Sequence, residues 1–312
     1  RPGVVAIDPG WRVVPDGLRI GYWQDGTGAH GAIEIPADLI AKIEHARSIH
    51  TIRHRNFNAA RDALAEWIQK RSDLPEWFRE ATATSNKWRS PARLAVLAGR
   101  WVDARFEEDG DAFTAVTKWA KQNRHLYAWE MFEMRKRLNR RDDIYRCWAK
   151  KLALAYGAIV TEDFDIRPVA SKGADAPEGS QEDRASGYRQ IAAPGRFRSM
   201  IAHAADREGS GFTQYPCAFT TLACHVCEKV LEWTPAEKID HRCAGCGTKW
   251  DQDQNACIWL LRVAGGGKSP DPREPAAGGN GVQKGKRKPR SGWGWAGRQR
   301  TGGKKRKSAP DL

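Results

Sequence analysis

The chain has 312 residues, a formal net charge of +14 and seven cysteines. That length suffices for one large domain with a small insert, and the basic balance attracts polyanions, of which nucleic acid is the commonest. No run of about eighteen apolar residues and no secretory core occurs, which excludes a membrane partner and predicts a prokaryotic cytoplasmic protein.

The chain opens on Arg1, and Val4 begins an apolar run at once, so a segment of a longer polypeptide is expected. Val4–Ile7 reads as a strand followed by a turn at Gly10. Leu18–Trp23 and Ala32–Ile35 alternate between apolar and polar residues, and turn residues separate all three runs, which predicts an antiparallel meander. From Ala37 the apolar period becomes helical (Leu39, Ile40, Ile43, Ala46, Ile49), with Pro36 well suited to a helix start. Further helix is expected after Pro91 and from Phe113 to Trp119. A long helix is predicted from Leu126 to Ala155, with Trp129, Phe132, Leu138, Ile144, Trp148 and Leu152 on its apolar side. Arg135, Lys136, Arg137, Arg140 and Arg141 are expected outside. Gly157 ends this helix, and Ala158–Thr161 is a buried strand closing on Glu162. Ser171–Arg184 reads as a mobile loop, Arg196–Asp206 as a helix and Gln254–Leu261 as the last one. Hydrophobic periodicity ends at Gly265, which predicts a disordered basic tail over 265–312.

Four cysteines stand as Cys224-x-x-Cys227 and Cys243-x-x-Cys246, spacing that points two turns of two thiolates at one structural Zn²⁺. His225 and His241 lie beside these knuckles as alternative ligands or as solvated neighbours. Cys147, Cys217 and Cys257 are scattered and read as small buried apolar side chains. Three acidic positions stand at the ends of separated elements: Asp8, Glu162, and Asp251 with Asp253. Converging carboxylates suit hard Mg²⁺ or Mn²⁺ ions, and two such ions can activate water and stabilise a leaving oxygen. Each acid also has a plainer reading, Asp8 as a turn cap and Asp251 or Asp253 as a helix N-cap.

In this order, Asp8-Pro9-Gly10, Glu162, the four cysteines and Asp251-Gln252-Asp253-Gln254-Asn255-Ala256 resemble the RuvC-like nuclease of type V CRISPR effectors and their transposon-encoded relatives. The resemblance implies an α/β, RNase-H-like (RuvC) domain with helical and zinc-ribbon insertions. It implies Asp8, Glu162 and Asp253 as catalytic Mg²⁺ ligands, with Asp251 as neighbour. It also implies guide RNA and target DNA as partners, with protein contacts to the heteroduplex backbone, within a monomeric antiviral effector. Arg196 and Arg198, on the segment before the ribbon, are candidates for phosphate contact, and so are Arg137 and Arg140. Each also suits a solvated helix face. Trp293 and Trp295 interrupt the basic run Lys284–Lys307 as stacking on single strands requires.

The expected layout is a RuvC-like domain over 1–211 with a helical insertion at 36–155. A zinc-ribbon, target-nucleic-acid-binding insertion follows at 212–249, then the last RuvC motif at 250–264. The guide-binding lobe of the family has no counterpart here, and 36–155 carries no assignable motif. The resemblance implies two-metal hydrolysis of single-stranded DNA. Guide-directed DNA binding without cleavage, a transposon-encoded RNA-guided nuclease and a guide-independent resolvase are the alternatives.

Overall fold

The computed structural model describes residues 1–163, 181–216, 220–230 and 239–270. Its first three strands are β1 (Val4–Val14), β2 (Gly17–Asp25) and β3 (His30–Pro36). β1 pairs antiparallel with β2, and β2 with β3, as the alternating runs predict. Two later strands, β4 (Ala158–Glu162) and β5 (Gly211–Tyr215), add in parallel on the other side of β1. The sheet order is therefore β3-β2-β1-β4-β5. A separate antiparallel ribbon pairs β6 (Asp240–Arg242) with β7 (Lys249–Asp251).

The helices are α1 (Ala37–Gln69), α2 (Glu76–Thr82), α3 (Pro91–Asp103), α4 (Gly110–Ala155), α5 (Gln181–Ala192), α6 (Pro194–Glu208) and α7 (Gln252–Ala264). One face of the sheet (Val5, Ile7, Leu18, Ile20, Ile33, Ile35) buries against α1, α4, α5 and α6. The other face (Ala6, Tyr22, Val160) buries against Cys257 and Leu260 of α7. A second core lies within the helical stretch, where Phe57, Phe78, Trp88, Trp101 and Trp119 from α1 to α4 pack together. No helix of the described residues is long and apolar enough to cross a membrane.

Several expectations change. β1 continues through Gly10 to Val14, because an irregularity in its pairing with β2 between Pro9 and Arg12 replaces the expected turn. The expected helices at 113–119 and 126–155 are one helix, since no Gly or Pro interrupts the polar stretch between them. That helix serves two cores, with Val116 and Trp119 in one and Tyr145, Ala149 and Leu152 in the other. Trp129 and Phe132 fall on the span between and are exposed rather than buried, and Cys147 of the same helix, expected inside, is exposed too. Arg141, expected outside, is buried; its guanidinium pairs with Asp142 and donates to the carbonyl of Ile191. Gly157 does not close α4, whose C-cap is Tyr156. It is small because the carbonyl of Arg1 would lie 2.2 Å from a Cβ there. Of the expected loop 171–184, residues 181–184 begin α5, and 171–180 lie outside the described residues. So do 271–312, including Trp293, Trp295 and Lys284–Lys307.

Candidate metal centres and nucleic-acid interface

The sulfurs of Cys224, Cys227, Cys243 and Cys246 all lie within 4.8 Å of one another. Cys224 Sγ is 3.6 Å from Cys246 Sγ, and Cys227 Sγ is 3.4 Å from Cys243 Sγ. A tetrahedral ion with Zn–S bonds of about 2.3 Å would set its sulfurs about 3.8 Å apart, so the donors fit zinc with little adjustment. Backbone N–H groups of Val226 and Gly245 donate to Cys224 and Cys243, which favours thiolates. A Cβ on Gly245 would meet Cys227 Sγ at 3.4 Å and Cys243 Sγ at 3.5 Å, which are ordinary contact distances. Hydrogen bonding from Thr248 draws the Cys246 thiol down to about 6. Trp250 closes this small core with Cys224 and Cys243. His225 is half-buried beside the knuckle, and its Nδ1 lies 2.8 Å from Oδ1 of Asn255. The His241 ring packs 6.3 Å from that of Trp250.

The carboxylates gather on the sheet face covered by α7. Parallel pairing of β1 with β4 ends at Ile7 opposite Thr161, so Asp8 and Glu162 follow side by side on adjacent strands. Asp253 enters from the first turn of α7, while Asp251 is that helix's N-cap and accepts from the N–H groups of Asp253 and Gln254. The N-cap reading thus applies to Asp251. Desolvation raises the Asp8 carboxyl well above its ordinary range, and repulsion from Asp253 and Glu162 adds to it. Burial, with Asp163 adding, pushes Glu162 from 4.5 to about 7. Desolvation and Asp251 raise Asp253, against the pull of Arg12 and Arg19. Asp8 thus lies close enough to Asp253 and Glu162 for their charges to oppose its ionisation, whereas among the described residues only the four cysteines bring their ligand atoms near enough together to hold an ion.

Arg19 is a member of this cluster that the sequence did not single out. Its Nη1 lies 2.7 Å from Asp251 Oδ2 and 3.1 Å from Asp253 Oδ2, and its guanidinium covers the Tyr22 ring. Strict alternation along β2 would put Arg19 and Tyr22 on opposite faces. A register shift between Arg19 and Gly21 brings them together.

The basic candidates are spread over two helices. Arg196 of α6 holds Asp142 through its Nε at 2.7 Å, yet its side chain remains about half exposed. Arg198, two residues on, is partly buried, while Arg140 of α4 is exposed. Arg137 is largely covered and pairs with Glu133 at 2.5 Å. Arg196 and Arg137 therefore do structural work already, and Arg140 presents the most open cation of the set.

Residues 195–260 match the family model described as Cas12f1-like, TNB domain. Over 266 residues the chain is 36% identical to the CRISPR-associated DNA-binding protein Cas12m of Allomeiothermus silvanus, covering 84% of this chain and 49% of that protein. It is 33% identical to the Cas12m of Thermanaerosceptrum fracticalcis, covering 83% of this chain and 43% of that one. The solved structure of CasPhi-2 (Cas12j) bound to crRNA and phosphorothioate-DNA is 16% identical, with a TM-score of 0.43, covering 87% of this chain and 46% of that chain. The chain spans about half the length of the curated relatives it matches. With a Cas12f1-like module over its cysteines and Cas12m relatives along most of its length, the chain is related to the type V CRISPR effectors.

Proposed function

We propose that this chain is the RuvC-like part of an RNA-guided type V effector that binds target DNA. The observation that carries the reading is the approach of Asp8, Glu162 and Asp253 in a desolvated place, with Asp253 on a helix fastened to a four-cysteine knuckle. The strand order β3-β2-β1-β4-β5, with three antiparallel strands followed by two parallel ones, supports an RNase-H-like sheet. In this reading residues 1–211 and 250–264 make the RuvC-like domain and 212–249 the zinc ribbon. Asp8, Glu162 and Asp253 would hold Mg²⁺ or Mn²⁺, and the cysteines structural Zn²⁺. When bound, the hard ions supply the positive charge that activates water and stabilises a leaving oxygen. The protein's own residues set the acids in place: β1 and β4 carry two of them, and Arg19 orients Asp253 and neutralises part of its charge. Arg140, Arg196 and Arg198 are proposed phosphate contacts, and a prokaryotic cytoplasm is the proposed setting.

Binding without cleavage is favoured by the relatives' description as DNA-binding proteins. Cleavage is favoured by the complete acid set. The protein in its full length, with guide RNA, separates these on a labelled target. Guide-dependent retention of DNA is expected in either case, and its absence would refute the proposal. Product that forms with Mg²⁺ and vanishes in Asp8→Ala would assign hydrolysis to this site. Retention without product would assign binding alone.

A further inference from the structure

The helix that carries Asp253 is tied to the first cysteine knuckle most extensively through the side chain of Asn255. This residue is wholly buried and uses all four of its hydrogen-bonding positions. Its Nδ2 donates to the carbonyls of Thr220 at 2.6 Å and Ala223 at 2.8 Å. Its Oδ1 accepts from the backbone N–H of His225 at 3.1 Å and from the ring Nδ1 of His225 at 2.8 Å. The backbone donor fixes which end of the amide is oxygen, and this in turn fixes the His225 proton on Nδ1.

The partners of Asn255 flank Cys224, so their positions depend on the knuckle. The same helix reaches the same segment twice more, through Trp259 Nε1 to the Ala223 carbonyl at 2.9 Å and Arg262 Nη2 to the His225 carbonyl at 2.7 Å. At its other end, the backbone N–H of Gln252 donates to the Ile239 carbonyl at 2.9 Å, just ahead of Cys243. Asp253 therefore sits between two attachments to the ribbon, two residues from the stronger one.

We infer that Asn255 is a positioning residue through which zinc on the cysteines fixes the first turn of α7, and with it Asp253. A structural zinc supplies folding energy to the loops that hold it. Without it the knuckle no longer presents its two carbonyls and two donors, and a buried amide is left unsatisfied. The first turn of α7 then loosens, and the carboxylates lose their common geometry. The last consequence rests on the proposed divalent-ion reading of the acids; the mechanical tie does not.

Two measurements on the zinc-loaded chain test this. Amide exchange is followed in α7 and in β1–β2, with zinc bound, after chelation of zinc, and in Asn255→Ala. Zinc removal and Asn255→Ala should each speed exchange at Asp253, Gln254 and Asn255 about tenfold or more, with β1–β2 unchanged and zinc still bound in the variant. Unchanged exchange in that turn after zinc removal would overturn the inference, whether or not the variant folds. Mn²⁺ binding, followed by the free-ion resonance signal, should weaken about tenfold in Asn255→Ala. Unchanged Mn²⁺ affinity would overturn the link to the acids. If the unaltered chain binds no Mn²⁺, the metal reading of the acids fails, and the exchange result alone decides the tie.

Discussion

Replacing Glu162 by Gln should stabilise the fold in the absence of Mg²⁺, because Glu162 is charged in a place that disfavours charge. A carboxyl whose proton affinity is raised on folding favours the fold below its unfolded value, and that contribution is lost as pH rises through the folded one. For Glu162 the window runs from 4.5 to about 7. A displacement of that size corresponds to about 3 kcal/mol of penalty once the pH exceeds both values. Glutamine carries no charge at any pH, so Glu162→Gln should gain about 3 kcal/mol near pH 8 and less than about 1 kcal/mol near pH 5. In a domain of this size that is about 5–10 °C in Tm near pH 8. Thermal unfolding in Mg²⁺-free buffer, with zinc retained, reads both values. A variant no more stable near pH 8, or equally stabilised at both pH values, would refute the argument that burial and neighbouring acids strain this site.

The converse perturbation is Arg19→Gln, which removes the guanidinium that pairs with Asp251 and Asp253 and leaves Arg12 as the other cation facing Asp253. It should cost about 2 kcal/mol in urea unfolding near pH 8, and millimolar Mn²⁺ should restore most of it. Arg141→Leu breaks a buried pair under the helices, but Arg196 still holds Asp142. The loss should therefore lie near about 3 kcal/mol, at the low end for buried pairs, by the same unfolding assay. Cys243→Ser should lower zinc from about one ion per chain to a small fraction by atomic emission, and raise proteolysis around 220–250.

The sequence revealed this architecture where one residue type meets one local requirement. The meander was visible because turn residues separate alternating runs at Pro15–Gly17 and Asp25–Gly28. The cysteine pairs were visible because tetrahedral sulfur binding needs two short turns. The order of the acids was visible too, although Asp8 was read as a strand end and lies within a longer strand. Arg19 was hidden because strict alternation along β2 would set it on the face opposite Tyr22, and only the register shift brings the two together. Asn255 stood in the motif itself, but nothing in its spacing shows that it reaches back to Thr220 and Ala223. In α4 a single period spans two cores, so periodicity alone could not tell buried Arg141 from exposed Trp129. Pairings set by tertiary approach, such as Arg196 with Asp142, leave no trace in local pattern.

The most direct test of the central claim is to locate metal in crystals of the zinc-loaded chain soaked with Mn²⁺, by anomalous scattering. The account predicts zinc among Cys224, Cys227, Cys243 and Cys246, and manganese held by Asp8, Glu162 and Asp253, with the manganese peak lost in Asp8→Asn. Manganese absent from these carboxylates at saturating concentration, or a peak that persists in Asp8→Asn, would contradict it.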